Sequence, residues 1–335
     1  MKKLLLPILF LLVTMTSFGQ TTIQVNNGDN LQTLINNATN GTIFMVGGGS
    51  YGITTGIVIN KPITLIGTGY FLTTGSQATP TSSALGEVTF NSGSSGSVLV
   101  GFMTGTISVL ANNVQISRNY TNYIKVGYGP YSGSSVIVNN AVVKQNYSVG
   151  VVLSNSTNTI LQNNIILREC TVTASVNLIC SATIKHNTIA CAPAVDSNLG
   201  IGSNIRFENN IIQPLYTDIN TRQFVYFQYN VFTGVSWAVD NTNKLNQNGN
   251  IIYQGFPTNT GNLPEDARYI LALNSPAKNS GSPTSANYDC GAFGGSEPYV
   301  LSGLPAVPTI YEMVVPTSVA TGQTLDVIVK ARIGN

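Results

Sequence analysis

Asp196, Asp218 and Asp240 follow one another at intervals of 22 and 22 residues. Evenly spaced carboxylates are the arrangement in this sequence best suited to chemistry. If the chain repeats a structural unit of that length, the three acids stack in one line roughly 5 Å apart. Two unit charges at that distance repel by about 1 kcal/mol in water and about 3–4 kcal/mol at an effective dielectric of 20. A cation between them offsets the repulsion, and a set of carboxylate oxygens suits calcium. Tyr216 and Trp237 lie two and three residues before the second and third acid, where a ring face can take a sugar. Arg206 and Arg222 are the candidate bases. The competing reading is structural: three Asx turns at solvent-facing corners, each carboxylate bonding its own backbone two residues on.

A recurring phrase supplies the unit that must position these residues. Written as apolar, x, x, Asn, x, apolar, it fits Ile116–Asn119, Val143–Asn146, Leu161–Asn164, Ile184–Asn187, Phe207–Asn210 and Phe227–Asn230. A seventh copy is read at Asn250, with Gln247 in its first apolar slot. The asparagines are 27, 18, 23, 23, 20 and 20 residues apart, and periods of this size mean stacked repeats. The phrase is β-branched and aromatic, alternates over two residues and is broken by Asn, Gly and Ser clusters, which excludes a helical repeat. One strand-rich coil stacked on the next is a parallel β-helix. Asparagine tolerates the left-handed backbone of a tight corner, and its amide can bond those above and below in a ladder.

The segment "GDNLQTLINNATNGTIFMVGGGSYGITTGIVINKPITLIGTG" (28–69) opens with a short amphipathic stretch, Leu31, Leu34 and Ile35, after Asn30 as N-cap. Strands at 42–46, 57–59 and 63–66 are expected to follow. This segment resembles the N-terminal cap and first coils of the right-handed parallel β-helix, or pectin-lyase-like, superfamily. The segment "YILALNSPAKNSGSPTSANYDCGAFGG" (269–295) is similar to the closing segment of many bacterial members, with Cys290 in the usual aliphatic place. The resemblance spans about residues 22–295. It implies an all-β, right-handed solenoid with a short N-terminal capping helix and, beyond it, a C-terminal β-hairpin-like extension. The superfamily holds lyases, hydrolases and non-catalytic surface proteins, so the fold does not select an activity. The Asn-Thr-Asp, Asp-Asp, Gly-His-Gly and Arg-Ile-Lys motifs of its polygalacturonases are absent, and His186 is the sole histidine. Its pectate lyases hold calcium in clustered acids and abstract a proton with Arg or Lys. That chemistry stays open here.

Residues 1–19 read as a signal peptide: Lys2 and Lys3, then the apolar run Leu4 to Val13, then Ser17-Phe18-Gly19. The run is too short to span a bilayer, so a secreted, extracellular or periplasmic chain without a membrane span is expected. Residues 20–298 form the β-helix and 299–335 the extension. That extension is too short to fold alone and is expected to dock on the last coil or its edge. Without Lys2 and Lys3, 13 basic residues face 13 acidic ones, which leaves no electrostatic footprint for nucleic acid. Cys170, Cys180, Cys191 and Cys290 show no zinc spacing and read as buried thiols. Cys170 and Cys191, 21 residues apart, could stack as neighbours, but they lie six and four residues after their asparagines, which favours free thiols. Ser117, Lys144, Gln162, Lys185, Glu208 and Gln228 share one outward slot, and His186 is read as a surface residue in the next. The tyrosines at 120, 123, 128, 131 and 147 cluster on two coils, as packing or as an exposed patch. The leading functional reading is an exported, non-catalytic β-helix with a structural, adhesive or glycan-binding role. The alternative is a polysaccharide lyase, or another carbohydrate-active enzyme, acting on an acidic glycan.

Overall fold

A computed structural model describes residues 20–129, 136–175, 178–195, 199–213, 223–234, 241–255, 263–282, 288–319 and 321–333. Two long parallel sheets wind along one axis. Sheet A runs, in spatial order, through Thr22–Val25, Ile43–Val46, Thr64–Ile66, Val98–Val100, Gln115–Ser117, Val142–Lys144, Thr159–Gln162, Ser181–Lys185, Asn204–Glu208 and Val225–Gln228. Sheet B runs beside it through Gly49–Tyr51, Ser83–Leu85, Met103–Val109, Tyr120–Val126, Tyr147–Ser154, Ile165–Thr173, Thr188–Ile189, Ile211–Ile212, Val231–Thr233 and Lys244–Gln247. Every pairing within these two sheets is parallel, and successive coils between the two ends contribute to both. The molecule is a parallel β-solenoid.

Alternation along each strand decides what faces inward. In sheet A the middle residues Phe44, Leu65, Leu99, Ile116, Val143, Leu161, Ile184 and Phe207 lie in register and are fully buried. Phe207 and Phe227 stack with ring centroids 4.6 Å apart, the spacing the strands themselves impose. The open N-terminal end is covered by the helix Leu31–Asn37, which buries Leu31 and Ile35. Asn30 caps it as the sequence suggests, accepting a hydrogen bond from the Thr33 backbone amide at 3.0 Å.

Between sheets A and B the chain turns at the repeated asparagines. Asn119, Asn146, Asn164, Asn187, Asn210 and Asn230 are buried. Each Nδ2 donates to the Oδ1 of the next, at 3.1, 3.0, 2.9, 3.0 and 2.9 Å. Each Oδ1 from Asn146 onward also accepts from the backbone amide of the asparagine one coil earlier. Two expectations are corrected here. The left-handed residue is not the asparagine but the one before it: Arg118, Gln145, Asn163, His186, Asn209 and Tyr229 have φ between 52° and 58°. The amide must point into the corner to reach both neighbours, so the bend falls one residue earlier. The seventh member is Asn243, which accepts from Asn230 Nδ2 at 3.0 Å. Asn250 lies instead in the 3-10 turn Gly249–Ile251.

The C-terminal part is also placed differently from expectation. It does not stay on the last coil. It runs back along the outside of the asparagine corner toward the N-terminal coils. Gly291 N donates to Asn209 O, Asn163 Nδ2 to Ala292 O and Gly294 O, Gln145 Nε2 to Pro298 O, and Tyr70 N to Ser302 O. The antiparallel hairpin Pro308–Val314 with Ile328–Ile333 then rests near Gly75, Ser76 and Ala78. The physical reason lies in the residues just after each asparagine. Tyr120, Tyr147, Ile165, Ile211 and Val231 point outward, and the returning chain covers them with Ile252, Tyr253, Leu271, Ala292 and Tyr299. Two apolar clusters thus form outside the solenoid, and they bind the strap to it.

All four cysteines are unpaired and buried. Cys170 stands opposite Pro193 rather than Cys191, the offset their positions imply. Burial pushes the Cys191 and Cys290 thiols up to about 12. A chromogenic thiol reagent is therefore expected to react with none of the four in the native protein and with all four after denaturation without reductant. Fewer than four after denaturation would reveal a disulfide.

Candidate functional site

Sheet A presents two outward columns to the exterior. One runs Thr64, Val98, Gln115, Val142, Ile160, Thr183, Arg206, Tyr226; the other runs Ile66, Val100, Ser117, Lys144, Gln162, Lys185, Glu208, Gln228. The second includes the outward slot read from the sequence. The first ends in Arg206 and Tyr226 at the C-terminal coils, and the second changes from Ile66 and Val100 at the N-terminal coils to charged and amide side chains.

At the C-terminal end Arg206 lies between Thr183 and Tyr226, and its Nε is 3.4 Å from Glu208 Oε1. This ion pair is exposed, so it contributes little to stability but fixes where both groups sit. Tyr226 is 50% exposed, enough to offer one ring face to a ligand. Lys185, Glu208 and Gln228 continue the polar surface beside it. At the N-terminal end the strap and the hairpin wall the same sheet into a groove of about 1100 Å³. Arg118, Lys144 and Arg332 reach this groove together with Glu297. Lys144 Nζ is 2.9 Å from Glu297 Oε1. Arg118 Nε donates to Gln145 Oε1 at 2.9 Å and its Nη1 to Leu304 O at 2.7 Å. Burial pulls the Arg118 guanidinium down from its ordinary value, opposed by the charge of Glu297.

Asp196, Asp218, Asp240, Tyr216, Arg222 and Trp237 all lie outside the described residues, as does Tyr131. Of the residues singled out in the sequence for chemistry, only Arg206 is placed. Among the described residues no three His, Cys, Asp or Glu side chains gather as a metal set. Tyr120 and Tyr147 pack with Tyr70 and Phe71 under the strap. Tyr123 and Tyr128 flank Lys125 Nζ, at 5.8 and 5.3 Å from their ring centroids.

His186 departs from its expected surface position. It is 7% exposed, roofed by Gly294 and Gly295. A Cβ on Gly295, whose φ is +75°, would stand 3.0 Å from the ring, so only glycine fits there. Asn209 Nδ2 donates to Nε2 at 3.2 Å, which puts the proton on Nδ1, facing Asp289 O at 3.2 Å. Burial lowers the His186 pKa to about 4, while the Asp289 carbonyl opposes the shift. Sequence spacing could not reveal this, because the covering residues come from a hundred positions later.

Sequence reading missed Asp266. It is fully buried, and its Oδ2 accepts from Tyr299 Oη at 2.9 Å and from the Ser302 amide at 2.7 Å. Tyr299 Oη is hydrogen-bonded in turn to Tyr70 Oη. This chain fastens the strap to the N-terminal coils. Burial raises the Asp266 pKa to about 6, with the two hydrogen bonds opposing.

Fold and columns together define a parallel β-helix protein. No family model matches the sequence, and no curated protein matches it either. Among solved structures the chain is similar to pectate lyase Pel9A, with a TM-score of 0.45 and 14% identity over 83% of this chain and 98% of that one. Likeness at that level assigns no activity. No helix among the described residues is long and apolar enough to cross a membrane.

Proposed function

We propose that the protein is an exported, non-catalytic β-helix that binds a polysaccharide along the C-terminal half of sheet A's outer face. What supports this is one juxtaposition: an exposed tyrosine ring beside an arginine, a lysine, a carboxylate and an amide, on adjacent strands about 4.8 Å apart. Aromatic faces take the apolar face of a sugar ring, and polar groups fixed on strands meet its hydroxyls without first having to be ordered. A row repeated coil by coil suits a polymer. Binding of neutral and acidic polysaccharides should weaken at least tenfold in Tyr226→Ala and in Arg206→Ala, measured by calorimetry. Affinity unchanged in both variants would remove this site. Ultraviolet absorbance from unsaturated products, with or without calcium, would instead make the protein a polysaccharide lyase.

Asp196, Asp218 and Asp240 are proposed as calcium ligands on the strength of their spacing alone. Calcium should then raise the melting temperature by mass action. Asp218→Ala should abolish most of that rise, and Glu208→Ala should leave it intact. If calcium does not shift the melting curve, the three acids are turn residues.

A further inference from the structure

We propose that the groove between the N-terminal half of sheet A and the strap binds an anionic amphiphile: an unbranched alkyl chain ending in one acidic group. The floor sets Ile66, Val98 and Val100 beside the short polar side chains of Thr64, Gln115 and Ser117, and the strap supplies Leu301, Leu304 and Pro305. The groove's volume of about 1100 Å³ is slightly above the usual range of small-molecule sites. The lining holds three cations, Arg118, Lys144 and Arg332, against the single carboxylate Glu297, an excess of two positive charges.

Lys144 is neutralised by Glu297. Arg118 and Arg332 are held in place by neutral oxygens: Gln145 and Leu304 for the first, Gly75 and Ser76 for the second. Each is positioned and makes no ion pair among the described residues. Half-buried Arg118 attracts an anion more strongly in the groove than it would in water, whereas Arg332 is exposed and lies over the Tyr311 ring, 5.1 Å from its centroid. A glycan fits this groove poorly. Hydroxyls laid on Ile66, Val98 and Val100 would lose water without gaining partners there, and only Thr64, Gln115 and Ser117 of the floor could meet them. An extended peptide meets the same objection, because the floor's backbone groups are already paired within the sheet. An alkyl chain has no polar groups to satisfy, and its acid head answers the unpaired arginines.

The probe is decanoate below its micelle concentration, titrated calorimetrically into the full chain, with decan-1-ol as the uncharged counterpart. One decanoate per chain is expected, with decanol at least tenfold weaker. Arg332→Gln should reduce decanoate affinity at least tenfold and leave decanol unchanged. Val98→Trp, which fills the floor, should abolish both. Ala306→Trp does the same from the strap side and serves if the first variant misfolds, as judged by circular dichroism. Absence of decanoate binding, equal affinity for acid and alcohol, or a folded blocking variant that still binds would each overturn the proposal. Polysaccharide binding at Tyr226 should be unaffected by either blocking variant, so the two readings fail separately.

Discussion

Replacing Asn187 by alanine is expected to destabilise the protein by about 1–3 kcal/mol. Asn187 Oδ1 accepts from both the backbone amide and the Nδ2 of Asn164, each at 2.9 Å. Its own Nδ2 donates to Leu161 O at 2.8 Å, Lys185 O at 3.0 Å and Asn210 Oδ1 at 3.0 Å. Truncation leaves the buried Asn164 backbone amide without a partner, at about 1–3 kcal/mol, whereas Asn164 Nδ2 keeps Val143 O and Gln162 O, Asn210 Oδ1 keeps the Asn187 amide and Lys185 O keeps the Asn163 amide. Water cannot replace the side chain, since both flanking asparagines are fully buried. Denaturant unfolding of the variant, compared with Asn122→Ala at an exposed position of sheet B, gives the difference directly. A cost below about 1 kcal/mol would show that the column relaxes around the gap. Asn187→Asp should be worse still, because it removes the donor and buries a charge.

The second large effect is on the pH dependence of stability, through Asp266. Its carboxyl is raised to about 6 by burial, so the folded state holds the proton more tightly than the unfolded chain, whose acid titrates near 4. The stabilisation is complete below about pH 4 and is lost as pH rises to about 6. A tenfold change in proton affinity corresponds to about 1.4 kcal/mol, and two such steps give about 3 kcal/mol. His186 works in the opposite direction. Lowered to about 4, it stabilises the fold above its unfolded value near 6.5, and that contribution is lost as pH falls toward 4. In the native protein the two slopes oppose each other across pH 4–6. Asp266→Asn keeps an acceptor for Tyr299 and Ser302 and removes one slope. Its stability relative to the native protein should therefore rise by about 3 kcal/mol between pH 4 and pH 6, measured by urea unfolding. Parallel curves for the two proteins would show that Asp266 does not titrate in this range.

Much of the architecture was legible in the sequence because a solenoid repeats its own constraints. The asparagine phrase gave the coil, and the strand register aligns all six copies as read. The capping helix and the inward column followed from patterns confined to a few consecutive residues. The outward slot from Ser117 to Gln228 followed for the same reason. Two local details were misread: the seventh copy, which is Asn243 rather than Asn250, and which residue of the phrase takes the left-handed turn. The residue types at the bend (Arg, Gln, Asn, His, Asn and Tyr) are too varied to mark it, whereas the buried amide after it is uniform.

The strap was decided only by tertiary structure. No periodicity relates Tyr299 to Tyr70, Asp289 to His186, or Glu297 to Lys144, and each pair is separated by 100 residues or more. Its path depends on the sum of apolar area outside the corner, contributed one residue per coil by Tyr120, Tyr147, Ile165, Ile211 and Val231. That sum appears only once the coils have stacked. The same event buries His186 and Asp266 and closes the groove over an outer face whose N-terminal half looks, in sequence, like more of the repeat. Local pattern determined the coil; where the last sixty or so residues return was set by the surface the coils leave exposed.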